Sequence, residues 1–480
     1  MRLFSRLLFF LATAYFTAIF FNPQPVAGIT LKEEEELSRE FLEIVKKKFN
    51  IIDDPLITGY VSNIGKKILK SLPPQPFSYR FYVIKEDVYN AFATPAGHIF
   101  MHSGLIEALD SEEELAGILA HETAHVVCRH ISQKIDRSKK VSLATLAGMA
   151  AGTFLGAAGV GGAAAKAVTI GSIAAGQSVM LAYSREDETQ ADDLALEYLE
   201  RSGYSGRGLL TGLQKIRSKQ WFGTKQIPNY LMTHPASEDR IARIGSKLDR
   251  RKAKKQPAIR DPYAFKLVRN RLLALYGDEE IALQRFKILA ENHPEDAMAQ
   301  YGYGLILART GNRKEAVQRV KRALEKRAFD PYILADLGRI YFLDGRYPEA
   351  VEILESVLSI KPQYAEALYY LAKIKMEQGD YKQAEIRLEQ LVASNPNYNN
   401  AYYSLGEAYG KQGKMGEAHY NLGVFFFNLG NPKKAKFHLQ RASTSLDDSE
   451  KLSKIKRILN RIEKKSQQQT NKEQGQLRSK

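Results

Sequence analysis

His121-Glu122-Thr123-Ala124-His125 sets two imidazoles four residues apart with a carboxylate beside the first. On a helix, residues four apart are separated by about 40° around the axis and about 6 Å along it, so His121 and His125 face the same way and can share one ion. Glu122 lies about 100° round, where its carboxylate meets a water on the ion rather than the ion itself. Zinc in such a site lowers the pKa of that water to about 7; the carboxylate takes the proton as the water attacks a peptide carbonyl and then delivers it to the leaving amine. The five-residue pattern also arises by chance in helices. A catalytic zinc needs in addition a third protein ligand and an open position.

Ser184-Arg185-Glu186-Asp187-Glu188-Thr189-Gln190-Ala191-Asp192 offers acids on one helix, with Glu188 and Asp192 on a shared face. Glu188 is a candidate ligand and Asp192 a candidate to orient a ligand histidine from behind. On residue type alone Glu186 and Asp187 compete with Glu188, since a charge run is usually a solvated helix face.

These residues need elements to hold them. Ser111-Glu112-Glu113-Glu114 reads as a capping box that opens the histidine helix. An acidic start at Glu33–Glu36 and a basic end at Lys46-Lys47-Lys48 mark an earlier helix, and a second is expected from Asp54 to Leu72, before Pro73-Pro74. Tyr79–Ile84 and His98–His102 are rich in aromatic and β-branched residues and read as two strands joined through Pro95-Ala96-Gly97. Between 141 and 184 the only charge before Arg185 is Lys166, which fits a buried helical hairpin or a membrane-apposed insert; the many glycines favour the hairpin.

The 480 residues are 44% hydrophobic and 26% charged, an ordinary globular composition with room for several cores. Arg2 and Arg6 precede the apolar run Leu7–Phe21, and Val26-Ala27-Gly28 offers small residues for cleavage, the layout of a signal peptide over 1–28. The single Cys128 excludes an intramolecular disulfide. The net charge of +16 comes from scattered Lys and Arg, consistent with a solvated basic surface; no nucleic-acid motif accompanies it, and export argues against that partner.

A basic linker at 250–261 separates the region 29–249 from a repeat with a 34-residue period over 262–446. Gly277, Gly311, Gly345, Gly379 and Gly413 form one column, Ala282, Ala316, Ala350, Ala384 and Ala418 another, and Gly304, Gly338, Ala372 and Gly406 a third. Paired helices need small residues where they cross and a breaker where they turn, and each pair buries its apolar face by stacking on the next. These columns resemble the tetratricopeptide repeat. Leu422-Gly423, Gly430 and Ala435 restart the pattern half a period early, so either a helix is missing or one helix serves two repeats. The basic tail at 447–480 is expected to lose order after Lys465.

Leu119-Ala120-His121-Glu122 through His130, Ser184-Arg185 through Asp192, and Thr233-His234-Pro235 through Arg240-Ile241 occur in that order. Asn90-Ala91-Phe92-Ala93, Pro95-Ala96-Gly97 and Gly104-Leu105-Ile106 precede them. Together, over about 31–248, they resemble the M48 zinc metallopeptidases, and with the signal segment and the repeats, the periplasmic members of that family. The resemblance implies an α+β, zincin-like domain, mostly helical with a small sheet, followed by an all-α repeat solenoid. It implies one Zn2+ per chain on His121, His125 and Glu188, Glu122 as base, and a supporting role for Asp192. It implies that the strand around His98–Met101 binds substrate backbone by strand addition, giving Asn90, Gly97, His98, Ile99 and Phe100 as groove residues. For His234 two roles stand, a gate occupying the open position or a donor to the oxyanion; Arg240 is a weaker candidate beside a structural ion pair.

The function implied is an exported endopeptidase in the periplasm of a Gram-negative bacterium, acting on unfolded, stalled or misassembled outer-membrane proteins. Its repeats would recruit clients or the outer-membrane assembly machinery. The alternative is a chaperone or adaptor whose proteolysis is rare or gated, and a peripheral membrane contact is carried for residues 141–184. Cys128 reads as a small core residue, His130 as a core histidine with a satisfied hydrogen bond, and His98 and His102 as surface or groove residues. Tyr369, Tyr370, Tyr402 and Tyr403 read chiefly as helix packing.

Overall fold

The computed structural model describes residues 29–137, 183–221, 229–235, 238–250 and 261–478. The expected signal segment, nearly all of the 141–184 insert and the linker interior lie outside the described residues. Among the described residues, no helix is long and apolar enough to cross a membrane.

Helix α1 (Leu31–Lys48) starts at a reciprocal box: Thr30 Oγ1 accepts from Glu33 N, and Thr30 N donates to the Glu33 carboxylate. It buries Leu37, Phe41 and Val45, one stripe at a spacing of four. Asp54 caps α2 (Pro55–Leu69), accepting from the amides of Leu56 and Ile57.

The sheet has three strands in the order β1 (Arg80–Ile84), β3 (His98–His102), β2 (Ala91–Ala93). β1 runs parallel to β3 with Phe81 opposite Ile99, and β2 runs antiparallel with Phe92 opposite Phe100. Alternation sorts the two faces. Tyr82, Phe100 and Phe92 stack across the strands at ring separations of 4.8 and 4.9 Å beneath Phe41 of α1, while Val83, Ile99 and Met101 join the core of α2 and the histidine helix. Strand β3 is therefore the centre of the sheet. Its backbone is paired on both sides from Ile99 to Met101, and His98 O accepts from Thr94 N. Strand addition at His98–Met101 is corrected on that ground, with Ile99 and Phe100 completely buried. β2, with three residues, is too short to show alternation of its own.

The histidine helix, α4 (Glu112–Val127), follows the short α3 (Ser103–Ala108). Ser111 accepts from Glu114 N, but the Glu114 carboxylate does not return to Ser111; it takes Asp110 N at 2.7 Å and Lys215 Nζ at 3.0 Å. Half of the expected capping box forms. From Glu114 to Val126 every residue of α4 is buried, because α6 (Arg185–Arg201) and α7 (Arg207–Trp221) pack on either side. Where α4 crosses α7, a Cβ on Gly117 would lie 2.5 Å from Leu209 N and one on Gly208 2.0 Å from Glu113 O. Only glycines permit that approach. The short α5 (His130–Arg137) leaves the end of α4, and α8 (Asn229–Thr233) and α9 (Glu238–Arg250) complete this region.

Eleven helices then follow in an array from α10 (Tyr263–Tyr276) to α20 (Pro432–Ser443). Gly311, Gly345, Gly379 and Gly413 take positive φ between the helices of successive pairs, whereas Gly277, in the same column, has φ −69. At the crossings Gly304 meets Val320, Gly338 meets Leu354 and Gly406 meets Leu422. The half-period restart has a simple cause. Helix α19 (Met415–Asn428) receives Gly406 on Leu422 as the second helix of one pair and presents Gly423 to Leu439 as the first of the next. The tail continues as α21 (Ser449–Arg478). Its Lys, Glu and Gln residues are strong helix formers, and Ile455, Ile458 and Ile462 anchor its first half on α19 and α20.

The array is not separated from the first region at 261. Helix α10 gives Phe265, Val268 and Leu272 to the core that holds α4, and Leu267, Leu273 and Ala274 to the core of the repeats. Arg271, on the same helix and 2% exposed, donates to Asp54 at 2.7 Å and to Asp336 and Glu366. Burial disfavours its charge, but the three carboxylates outweigh burial and hold its pKa well above the usual value. Arg271→Ala removes the cation that three buried carboxylates share and is expected to cost about 3–5 kcal/mol, seen as a lower thermal unfolding midpoint. An unchanged midpoint would show that the cluster does not tie the two regions together.

Candidate metal centre

Helix α4 carries His121, Glu122 and His125; α6 carries Glu188 and Asp192; the end of α8 leads into His234; and α9 carries Arg240. Packing of α6 against α4 brings the two sequence motifs face to face. His121 Nε2 lies 3.0 Å from His125 Nε2, and Glu188 approaches both, its Oε2 3.5 Å from His121 and its Oε1 3.3 Å from His125. His234 Nδ1 completes the group, 3.4 Å from His121 Nε2 and 3.0 Å from Glu188 Oε1. The four donor atoms all lie within 4.8 Å of one another and all four residues are buried. Among the described residues this is the one such cluster.

Glu186 and Asp187 do not reach it. Asp187 forms the reciprocal cap with Ser184, which starts α6 so that Glu188 points inward. Behind the donors, Asp192 Oδ1 sits 3.1 Å from His121 Nδ1, directing His121 Nε2 into the cluster. Arg240 grips Asp192 through Nε at 2.7 Å and Nη2 at 2.8 Å and also pairs with Glu188. Arg243 adds a 2.8 Å contact to Asp192. The ion-pair reading of Arg240 thus holds, but the pair is fully internal and supports the cluster directly.

Burial and Arg240 both oppose a proton on His121, yet the hydrogen bonds with Asp192 and Glu188 prevail and hold its pKa at about 9. Burial drives His125 well below the ordinary histidine value. Burial alone would raise Glu188, but Arg240, His234 and His121 hold it well below the usual carboxylate range. An ionised carboxylate among imidazoles suits a zinc ion. The orphaned atoms agree: both oxygens of Glu122 and Nε2 of His234 are buried without a hydrogen bond, and such groups are costly unless they serve a ligand.

Tyr183 stacks on His125 at 3.7 Å and Tyr230 on His234 at 4.5 Å, both with buried hydroxyls. Sequence reading missed both, and a lone tyrosine outside any motif gave no signal. His102 is corrected from a surface or groove residue to a core one: it is 1% exposed, with Nδ1 3.0 Å from Asn90 O. His98 stays partly exposed on the sheet. Gly97 turns the chain into β3 with φ +88. Asn90, Gly97, His98, Ile99 and Phe100 lie on and beside β3, outside the donor cluster.

Residues 55–247 match the family model described as Peptidase family M48, and tetratricopeptide repeat models match residues 277–331, 307–365, 341–405 and 416–445. The chain carries an M48 peptidase domain followed by tetratricopeptide repeats. The chain is 28% identical over 259 residues to the beta-barrel assembly-enhancing protease of Yersinia pestis, an overlap of 54% of this chain and 52% of that one. It is 31% identical over 294 residues to the putative beta-barrel assembly-enhancing protease of Vibrio cholerae serotype O1, covering 58% of each. With the mitochondrial metalloendopeptidase OMA1 of Schizosaccharomyces pombe it shares 28% identity over 199 residues, 42% of this chain and 55% of that one. The chain thus spans a little over half the length of these relatives. The M48 domain contains every donor in the cluster.

Elemental analysis of the purified chain is expected to find one zinc per molecule, lost in His121→Ala and Glu188→Ala. Asp192→Asn should keep zinc with affinity about 10–100-fold lower. Unchanged zinc content in His121→Ala would mean the ligands are misassigned.

Proposed function

We propose that the chain is an exported zinc endopeptidase with a gated active site, acting on unfolded or misassembled envelope proteins. The observation that carries the reading is the convergence of His121, His125 and Glu188 on one point, with the unpaired Glu122 carboxylate beside it. Zinc, when bound, polarises the scissile carbonyl and acidifies a water at its open position. Asp192 keeps the His121 tautomer that presents Nε2 to the ion, and Glu188 supplies the third donor. Glu122, with no competing hydrogen bond, takes the proton of the attacking water and returns it to the leaving amine.

Of the two roles for His234, its position favours the gate. Nδ1 lies among the donors, where a fourth protein ligand fills the position a catalytic zinc must keep open, and Nε2 is 3.6 Å from Glu122 Oε1, across the path of the base. Cleavage then requires the segment after α8 to withdraw. That favours the reading in which proteolysis is released only when a client stalls, and it brings the chaperone or adaptor alternative into the same molecule. Strand addition moves from β3 to β2: Ala91–Ala93 is an outer strand of the sheet, packed on α4.

The envelope setting rests on two supports. The relatives carry the name beta-barrel assembly-enhancing protease, and residues 1–28 have a signal-peptide layout. On that basis the site is periplasmic, clients are outer-membrane proteins, and the repeats recruit them or their assembly machinery.

Glu122→Gln should keep zinc and lose cleavage of an unfolded casein substrate by at least about 100-fold, the scale of general-base catalysis. Cleavage at the parental rate would sink the mechanism. His234→Ala is expected to raise basal casein cleavage with zinc content unchanged; a fall in rate would point instead to an oxyanion donor.

A further inference from the structure

His125 Nδ1, the nitrogen turned away from the donor cluster, lies 2.9 Å from His130 Nδ1. The other nitrogen of His130, Nε2, lies 3.0 Å from Gln190 Oε1, and Asp187 Oδ1 is 3.8 Å away on the same side. His130 is 2% exposed, whereas Gln190 is exposed on the first turns of α6. Two nitrogens in contact need one donor and one acceptor, and acceptors face Nε2 from Gln190 and Asp187. The proton of neutral His130 therefore belongs on Nε2, which leaves Nδ1 as an acceptor. His125 must then carry its proton on Nδ1, and its Nε2 lone pair turns into the cluster.

An uninterrupted helix would not allow this. Residue i+5 lies about 140° round and about 7.5 Å along the axis from residue i. The chain breaks between α4 and α5 at Arg129, a non-glycine residue at φ 55. Backbone in this left-handed region persists where surrounding contacts impose it, and such sites cluster at functional centres. Here Arg129 Nε donates to the buried Glu34 at 2.7 Å and Nη2 to Ile29 O at 2.5 Å. The break swings the ring of His130 back onto His125, at a ring separation of 5.0 Å.

We infer that His130 is a positioning residue for the metal: with Gln190 it forms a relay that fixes the His125 tautomer, as Asp192 does for His121. The inference rests on the zinc reading. Each ligand histidine then has its own orienting partner, a carboxylate for His121 and a neutral imidazole for His125. The neutral partner adds no further negative charge to a site already holding Glu188, Glu122 and Asp192.

The test is zinc affinity of the full-length chain by competition with a chromophoric chelator. His130→Leu, which removes the acceptor, is expected to weaken zinc binding about 10–100-fold. His130→Asn, whose Oδ1 can replace Nδ1 as acceptor, should recover most of that loss, and Gln190→Glu should bind at least as tightly as the parent. Thermal unfolding of the metal-free variants checks that each folds. Long-range proton–nitrogen NMR on the zinc-loaded parental chain reads the tautomers without any substitution: the inference requires His125 protonated on Nδ1 and His130 on Nε2. His130 protonated on Nδ1, or parental affinity in a folded His130→Leu, overturns the relay while leaving the zinc reading intact. A parental chain that takes up no zinc overturns both.

Discussion

A carboxylate as thoroughly buried as that of Asp192 has to be matched by donors from several directions, and the matching organises the M48 domain. Arg240 and Arg243 reach it from α9, His121 from α4, and the carboxylate itself rides on α6. Three helices that are separate in sequence are thereby fixed at one point inside the protein. Arg240 extends the arrangement by pairing with Glu188, so the group that anchors the scaffold also restrains a ligand. Such a network contributes little net stability when whole, because each charge has lost its hydration, but it tolerates few alternative geometries. That intolerance suits a site whose donors must be held within fractions of an ångström.

Much of this could be read from residue spacing. The helical offset of His121 and His125, and that of Glu188 and Asp192, places each pair on one face whatever the surroundings, because helix geometry is local. The 34-residue columns were legible for the same reason: a turn or crossing in a repeat needs the same small residue every time. Long-range pairing was not legible. Nothing in Tyr79–Ile84 or His98–His102 tells which strand takes the middle, and a three-residue β2 has no pattern to detect. The capping box at Ser111 also misled, since Glu114 had a partner in Lys215, a hundred residues away and invisible to local rules.

The second ring of the site shows the same division. Asp192 could be proposed from its place on the Glu188 face, whereas the partner of His130 depends on a backbone break at a residue of unremarkable type. A left-handed arginine leaves no mark in composition or periodicity. Tyr183 and Tyr230 join through packing alone, as the aromatic walls of His125 and His234.

The sharing of α10 between two cores bears on the order in which the chain is made. Phe265, Val268 and Leu272 lie on the C-terminal side of the whole M48 motif set, yet they wall the interior that holds α4. A nascent chain that has just emitted His234 and Arg240 already possesses every donor but not the full hydrophobic enclosure behind them. The first repeat helix has to emerge before that enclosure closes. A product truncated at the linker is therefore left with a complete set of donors in front of an incomplete core.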